Sequence, residues 1–527
     1  MTRFTTLLGA ALTLLLCAGV SATVLHVPGE YPTIQAGIDA AVEGDTVLVA
    51  DGTYTGDGNR DIDFLGKAIV VISENGPEVT VVDCEGDSLD PHRGFFFHSG
   101  EDLSSVLRGF TVQNGFAYRG GGMRCDYASP TIAGNWITRN TASGGLSGWG
   151  GGIHCYSSSP RIEGNMITGN MASGPWGGAG GGVYCDYASP MIVGNTIAGN
   201  TASASGSARG GGGGICCLYA SFPTLAWNRI SGNEAYYGGG IYCYESGPVI
   251  VGNTISGNVG ELAGGGMYFP WGSSSLIGGN TISGNEARIG GGILCHASSL
   301  TINGNTMTRN AVTLGEGGAI HCYSCSLSII NSILWGDSPS QIEVDGDTLL
   351  VVAYCDVEGG WSGEGNIDAD PMFVLAEKGD YRLLWGSPCI DAGHPDSLDA
   401  DGTRRDMGAE FFDQEDYMTL YLTPDTTEVS PGAMLGVTYT AINRWPQAEP
   451  FWVQTEATLP NGSPFTIIGP DQYTLPANTT VQRHLHHMVP GAAPLGAYGY
   501  GSRIGMPPSM VYDEDSFGFA IVPPPVE

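Results

Sequence analysis

Between residues 120 and 322 apolar and polar positions recur in one fixed order. Eight copies open on glycines, an apolar residue, a variable residue and usually cysteine: GGGMRC (120–125), GGGIHC (150–155), GGGVYC (180–185), GGGICC (212–217), GGGIYC (238–243), GGGMYF (264–269), GGGILC (290–295) and GGAIHC (317–322). Self-similarity at a period of roughly 20–50 residues is the mark of a repeat architecture. From the apolar residue to a later asparagine the spacing is 12 or 13 in all seven complete copies, and a second asparagine follows five later. From that asparagine to the next glycine strand the spacing runs from 8 to 15, so all the length variation sits in one connection.

This pattern predicts an all-β fold, a right-handed parallel β-helix of three short strands per coil: GGGIxC, a strand around Ile132, Ile162, Ile192, Leu225, Ile250, Ile277 and Ile302, and one carrying Ile137, Ile167, Ile197, Ile230, Ile255, Ile282 and Met307. Stacked coils would align these residues into a continuous interior. The asparagine pairs are expected at the corners, as short amides that tolerate left-handed backbone and hydrogen-bond to the coils above and below. The triple glycine reads as a tight bend with close backbone approach, not a phosphate loop: no lysine and no helix period follow it.

At the N-terminal side, residues 24–50 read strand, helix, strand. PTIQAGIDAAV places Ile34, Ile38 and Ala41 on one face, with Pro32 and Thr33 at the helix start and Gly44 at its end. Such a helix would cover the open end of the solenoid. After Cys322 the period fades, and stretches such as NIDADPMF (366–373) and SPCIDAG (387–393) read as closing coils. Residues 413–527 form the second predicted domain, whose strand-like runs between Pro, Gly and Asn turns suggest a small immunoglobulin-like β-sandwich. The β-helix is thus expected over 23–412 and a signal peptide over 1–22.

Composition narrows the function classes. The chain has 527 residues, 84 glycines, 42% apolar and 14% charged residues, and a formal net charge of −33. A large interior is within reach, while phosphate backbones and anionic lipid surfaces are disfavoured, so no nucleic-acid partner is expected. Arg3, the apolar run Leu7–Val20 and the small residues Ser21 and Ala22 read as an export signal cut after Ala22, giving a secreted or cell-surface protein. Leu16 before Cys17 is not the small residue a lipoprotein signal would place there. No later stretch has the ~20 uninterrupted apolar residues of a membrane span.

Export usually brings disulfides. Here seven cysteines share one repeat position, and Phe269 fills it in the sixth copy, so that position reads as apolar interior. Side chains stacked in register lie at ~4.7–4.9 Å, wider than the ~3.8 Å between Cβ atoms of a good disulfide. A column of buried thiols is expected.

If Ile and Cys of GIxCx point inward, the alternate residues point outward. That face carries Arg124 and Asp126, His154 and Tyr156, Tyr184 and Asp186, Cys216 and Leu218, Tyr242 and Tyr244, Tyr268, Leu294 and His296, and His321 and Tyr323, with Trp149 and Trp176 on the connection entering the strand. Aromatic faces stack on sugar rings and neighbouring polar groups orient hydroxyls, so the stripe is a candidate polysaccharide track. Tyrosine also simply suits exposed strand positions. Asp126 and Asp186, two rungs apart, would stand about 9–10 Å from one another on the strand spacing, the wide edge of an inverting glycosidase pair; they are the weak catalytic candidates. Two acidic loops are candidates for structural calcium, 56–63 and DSLDADG. In the second, Asp399 and Asp401 precede Gly402, but Ser397 replaces the first ligand and Gly408 stands where a bidentate Glu belongs.

The stretch VPGEYPTIQAGIDAAVEGDTVLVADGTY, the GGGI-C and I-x-x-N repeats and the closing NIDADPMF…GDYRL…GSPCIDAG…DMGA resemble secreted bacterial right-handed parallel β-helix proteins of the pectate-lyase-like superfamily, over roughly residues 24–412. The glycine-triplet repeats are also similar to those of chlamydial polymorphic outer-membrane proteins, which implies surface adhesion. DPHR (90–93) is similar to a motif of alginate epimerases, but it stands alone. The strand Asp pair and distal Arg-Pro-Trp of pectin methylesterases, and the calcium-carboxylate cluster with catalytic Arg of pectate lyases, do not occur. One fold hosts many chemistries. The expectation is therefore an exported, monomeric, non-catalytic protein that binds polysaccharide or cell-surface glycan or protein, without an obligatory cofactor. The alternative is a polysaccharide lyase or glycoside hydrolase using the same outer stripe.

Overall fold

The computed structural model describes residues 22–204, 210–412, 418–506 and 510–523. The predicted signal, apart from Ala22, and most of the predicted domain junction lie outside the described residues.

Residues 24–357 wind into a right-handed parallel β-helix. Three long sheets run its length, of 13, 10 and 12 strands, and every pairing in them is between successive coils. The three strands per coil expected from the pattern are there: Met123–Asp126, Thr131–Ala133 and Trp136–Thr138, for example. The structure adds a fourth. A sheet of eight short strands, such as Thr141–Ser143 and Glu234–Tyr237, is built from the connection of variable length. Its first residues obey the repeat even where the rest does not, because the small buried residues Ala142, Ala172, Ala202 and Ala235 stack beside the second asparagine column.

The interior is a set of like-over-like columns. Ile132, Ile162, Ile192, Leu225, Ile250 and Ile277 pair in register and are fully buried, as are Met123, Ile153, Val183, Ile215 and Ile241. Cys125, Cys155, Cys185, Cys217 and Cys243 form the expected thiol column; all 12 cysteines of the described residues are free and buried. Hydrogen bonding to the neighbouring thiols, and then burial, pushes Cys125 and Cys185 well above their ordinary range, while burial comes first for Cys243.

The asparagines form two buried ladders, not left-handed corners. In the first, Oδ1 of Asn165 accepts from the backbone N–H and Nδ2 of Asn135 at 2.9 and 3.1 Å, and Nδ2 of Asn165 donates to the Ile132 carbonyl at 2.9 Å. The second repeats this from Asn140 through Asn310 and ends on Asp337. The left-handed position is the residue before each asparagine: Gly164, Gly169, Gly194 and Gly199 have φ of 59–64°. The amide faces inward to satisfy buried backbone, and glycine, with no Cβ, takes the bend at most rungs, Arg139, Trp227 and Arg309 doing so at the others.

Close approach, by contrast, explains the triplet. A Cβ on Gly181 would lie 2.5 Å from the Gly213 carbonyl and 2.6 Å from that of Thr201, and Gly180 has φ 64°.

The N-terminal helix is present as α1, Ile34–Ala40, capped by Thr33, whose side chain accepts from Ala36 N–H at 3.2 Å. It ends at Ala41 instead of Gly44, and Ile34 and Ile38 seal the first coil. At the other end the coils stop at Asp356–Val357. Residues 366–412, expected to close further coils, fold back along the flank: His394 N–H donates to Asn331 Oδ1 at 2.6 Å and Ala409 N–H to Thr306 Oγ1 at 3.0 Å. Their apolar residues Leu383, Cys389, Met407 and Phe412 make a separate small core with Ile333 and Tyr354. Residues 418–521 form sheets of three and five strands around Leu420, Val437, Tyr439, Phe451, Tyr500 and Ile504, compatible with a small β-sandwich. No helix among the described residues is long and apolar enough to cross a membrane.

Candidate functional site

On the ten-stranded glycine sheet two columns leave the interior. The first runs Arg124, His154, Tyr184, Cys216, Tyr242, Tyr268, Leu294, His321. It was expected to face solvent, and much of it does not: His154, Tyr184, Cys216, Tyr268 and Leu294 are buried. The cause is the variable connection, which turns back over the strand. In the longer copies Trp149 lies flat against Tyr184, with centroids 6.2 Å apart, and Tyr184 in turn stacks on His154 at 5.2 Å. Arg119 caps the stack, its guanidinium 4.7 Å from the Trp149 ring. In the shorter copies Tyr237 packs on Tyr242 and Tyr268, and Leu262 and Ile289 join Tyr268 and Leu294.

The second column is the accessible one. Asp126, Tyr156, Asp186, Leu218 and Tyr244 are half-buried, and His296 and the exposed Tyr323 continue the same face. Beside it stands a row that the alternation argument missed: Tyr127, Tyr187, Tyr219 and Trp271, all exposed and all at positive φ of 34–52°. These residues end the strand in a left-handed turn, where period-two logic stops; their signal was the aromatic recurring directly after the strand. Together the rows make a chain of ring contacts, Tyr187–Tyr219 (5.8 Å), Tyr219–Tyr244 (5.8 Å), Tyr244–Trp271 (6.2 Å), Trp271–His296 (4.8 Å) and His296–Tyr323 (5.0 Å). Where the long connection meets this ridge a cleft of about 280 Å³ opens, walled by Trp149 and Trp176 on one side and Tyr219, Tyr237, Tyr242 and Tyr244 on the other. The described C-terminal sheets carry further hollows, of about 580 Å³ along Glu456, Tyr500 and Arg503 and about 350 Å³ between Tyr439, Phe451 and Leu485; neither gathers rings in this way.

At the N-terminal end of the stripe the chemistry changes. Arg93, Arg119 and Arg124 gather around His154, and burial, followed by these cations, holds that imidazole well below its ordinary range, so it is neutral. Burial and Arg124 bring the Arg93 guanidinium down to about 10, and it donates to the Arg119 carbonyl at 2.7 Å. Asp126 is clamped by Arg124, whose Nε donates to it at 2.9 Å, and lies 4.0 Å from His154 Nδ1. Asp186 sits two rungs away beyond Tyr156; burial raises its carboxyl, Arg119 opposes this, and its Oδ1 is buried without a hydrogen-bond partner. His321 hydrogen-bonds to Asp345 at 3.1 Å, at the far end of the sheet.

The two acidic loops use their own cations and donors. Arg60 approaches Asp57, Glu85 and Asp90 at 3.6–3.9 Å in the first loop, and His92 bridges Asp61 and Asp90. In the second, Asp399 accepts from Asp406 N–H at 2.6 Å and Asp401 from Thr403 N–H at 2.9 Å.

Residues 228–359 match a family model described as a right handed beta helix region, in agreement with the coils seen there. No curated protein matches the chain. Among solved structures the chain is similar to a variant of AlyGC, an alginate lyase of the PL6 family, at 11% identity and a TM-score of 0.32, covering 73% of this chain and 57% of that one. It also matches the Pseudomonas fluorescens alkylpurine DNA glycosylase AlkC bound to DNA containing an abasic site analog, at 11% identity, a TM-score of 0.16, and 20% and 30% coverage. The chain thus spans less than two thirds of either, and neither likeness bears on its chemistry.

Proposed function

We propose that the protein is an exported, monomeric rod that binds a neutral polysaccharide, such as a cell-surface glycan, along the ridge from Tyr187 to Tyr323, with the chain anchored in the Trp149–Trp176 cleft. The observation that carries this reading is the convergence of six aromatic side chains on that open cleft and its continuation as a row of rings along the sheet. Flat apolar faces with hydroxyls at their edges suit pyranose rings. The net charge of −33 disfavours a polyanionic glycan. Of the sequence candidates, Trp149, Trp176, Tyr242 and Tyr244 line the cleft, Tyr323 ends the ridge, and Tyr156 flanks it. His154, Tyr184 and Tyr268 support the rings from beneath, and His321 lies at the margin. A glycan array probed with wild type and Trp176→Ala tests this: selective binding lost in the variant supports it, and silence on every neutral glycan overturns it.

A second reading, a polysaccharide lyase or hydrolase, draws on Asp186, a carboxyl raised by burial, with one buried unpartnered oxygen and the Arg119 cation acting on it. A general acid needs such elevation. Release of reducing ends from a bound glycan, abolished by Asp186→Asn, would establish this reading in place of binding alone. Structural calcium at Asp399 and Asp401 is a lesser proposal: both carboxylates already serve the loop, and unchanged thermal stability on adding EGTA would dismiss it.

A further inference from the structure

Far from the solenoid stripe, the C-terminal sheets hold the single group of three potential metal ligands found among the described residues: Asp425, His484 and His486. His484 and His486 are alternate residues of the strand Thr479–Met488 and so share its outer face. His487 beside them turns inward, its Nε2 2.8 Å from the Tyr500 hydroxyl. On the neighbouring strand Thr438 pairs with His484 and Gly436 with His486. Gly436 makes the space for the third ligand. A Cβ there would fall on the Asp425 carboxylate and 3.1 Å from the His484 ring. Asp425 is held at this spot by its backbone N–H, which donates to the Gly436 carbonyl at 2.9 Å.

Both separations from His484 are those a small cation demands, and all three ligand atoms lie within 4.8 Å of one another. His484 Nε2 is 3.3 Å from His486 Nε2 and 3.4 Å from Asp425 Oδ2. Two donors each ~2.0–2.1 Å from a tetrahedral ion stand about 3.3–3.4 Å apart. Without a cation, His484 Nε2 must serve one neighbour as donor or acceptor and leave the other mismatched; a cation takes a lone pair from each. His484 Nδ1 is 2.9 Å from Thr438 Oγ1. That contact presents a partner for an Nδ1–H, which leaves the Nε2 lone pair free to ligate.

We propose that Asp425, His484 and His486 form a binding site for a divalent ion of the zinc class, with three protein ligands and a fourth position open to water or to a donor from a docked partner. Imidazole and carboxylate donors in tetrahedral array select zinc or its neighbours over calcium or magnesium, which need six or more oxygens. All three ligands are exposed, so an ion enters without local unfolding.

The test uses the full-length protein, stripped with chelator and titrated with zinc sulfate by calorimetry. One saturable site is expected in wild type and none in His484→Ala/His486→Ala. Asp425→Asn and Thr438→Val should each weaken binding, the latter by about tenfold or more. Cobalt substituted for zinc should give the intense visible bands of four-coordinate geometry. Circular dichroism confirms that these exposed substitutions leave the sheets folded. Zinc uptake by wild type no tighter than by the double variant, or cobalt spectra of six-coordinate form in both, overturns the proposal.

Discussion

The asparagine ladders and the outer face of the glycine strands share one period and one set of coils, yet they obey different rules. In the ladders each amide has a single geometry that serves the backbone of the coil before it, and the residue type hardly varies from Asn135 to Asn305. On the outer face, successive coils place arginine, histidine, tyrosine, cysteine and leucine at one position. Inside the wall the repeat itself dictates the side chain. Outside, what covers the strand dictates it, and the cover changes length from coil to coil.

The contrast is sharpest in unfolding experiments. Asn200→Ala removes the acceptor of the Asn170 backbone N–H and Nδ2 and a donor to the Ile167 carbonyl, all buried. Each orphaned buried group costs roughly 1–3 kcal/mol, so a loss of about 3 kcal/mol or more is expected by urea denaturation. A loss below about 1 kcal/mol would mean the ladder is ornamental.

The end of the second ladder gives the next effect. Asp337 is buried, its Oδ1 accepts from Asn310 at 2.7 and 2.8 Å, and its Oδ2 has no partner. Burial pushes its carboxyl up from 3.8 to about 8, against the lowering by Asn310. The group is thus neutral when folded and ionised when unfolded over that window. Stability is full below about pH 4, falls as pH rises toward about 8, and is level above; each tenfold gain in proton affinity on folding is worth about 1.36 kcal/mol. Burial raises Asp356 and Asp406 to about 6, which adds to the same slope. Asp337→Asn, which extends the ladder by one neutral rung, should flatten the dependence and stabilise the fold at pH 8, on the order of a few kcal/mol. Parallel urea melts at pH 5 and pH 8 measure it, and an unchanged slope would refute the assignment.

Across the wall, Trp176 is 66% exposed. Trp176→Ala should change stability by no more than about 0.5 kcal/mol while weakening glycan binding by about 1–2 kcal/mol, roughly five- to thirtyfold. If stability falls as far as in the ladder variant, the two faces are not energetically distinct. The smallest effect belongs to the thiol column: the buried cysteines should stay unreactive toward a thiol reagent in native buffer and titrate together only on denaturation. Fast labelling of several cysteines in the folded state would contradict the column.

The coils, the thiol column, the apolar columns, the capping helix and the two asparagine positions are all legible in the chain, because each is a like-over-like contact written once per period. The fourth strand is not. Its residues vary from TAS to EAYY, and the position beside the asparagines, alanine in most coils, becomes Gly260 and Val312 in later ones. The flank formed by residues 366–412 reads as closing coils because its strands and turns are locally coil-like, yet it packs as a separate core. The aromatic ridge is half legible: Tyr244 and Tyr323 follow from alternation, but Tyr219 and Trp271 sit past the strand end at positive φ, where alternation gives no direction. The histidine pair on the C-terminal sheet is visible as a strand but silent as a site, since Asp425 joins it across 59 residues and only through the gap at Gly436.

By itself, then, the sequence determined the columns that three strands of every coil repeat: which apolar residues, thiols and amides lie inside and what stacks on what. Only the tertiary structure decided which outward residues reach solvent. Exposure depends on how far each variable connection folds back over its strand, and a connection's path is fixed by packing against neighbouring coils rather than by any period of its own.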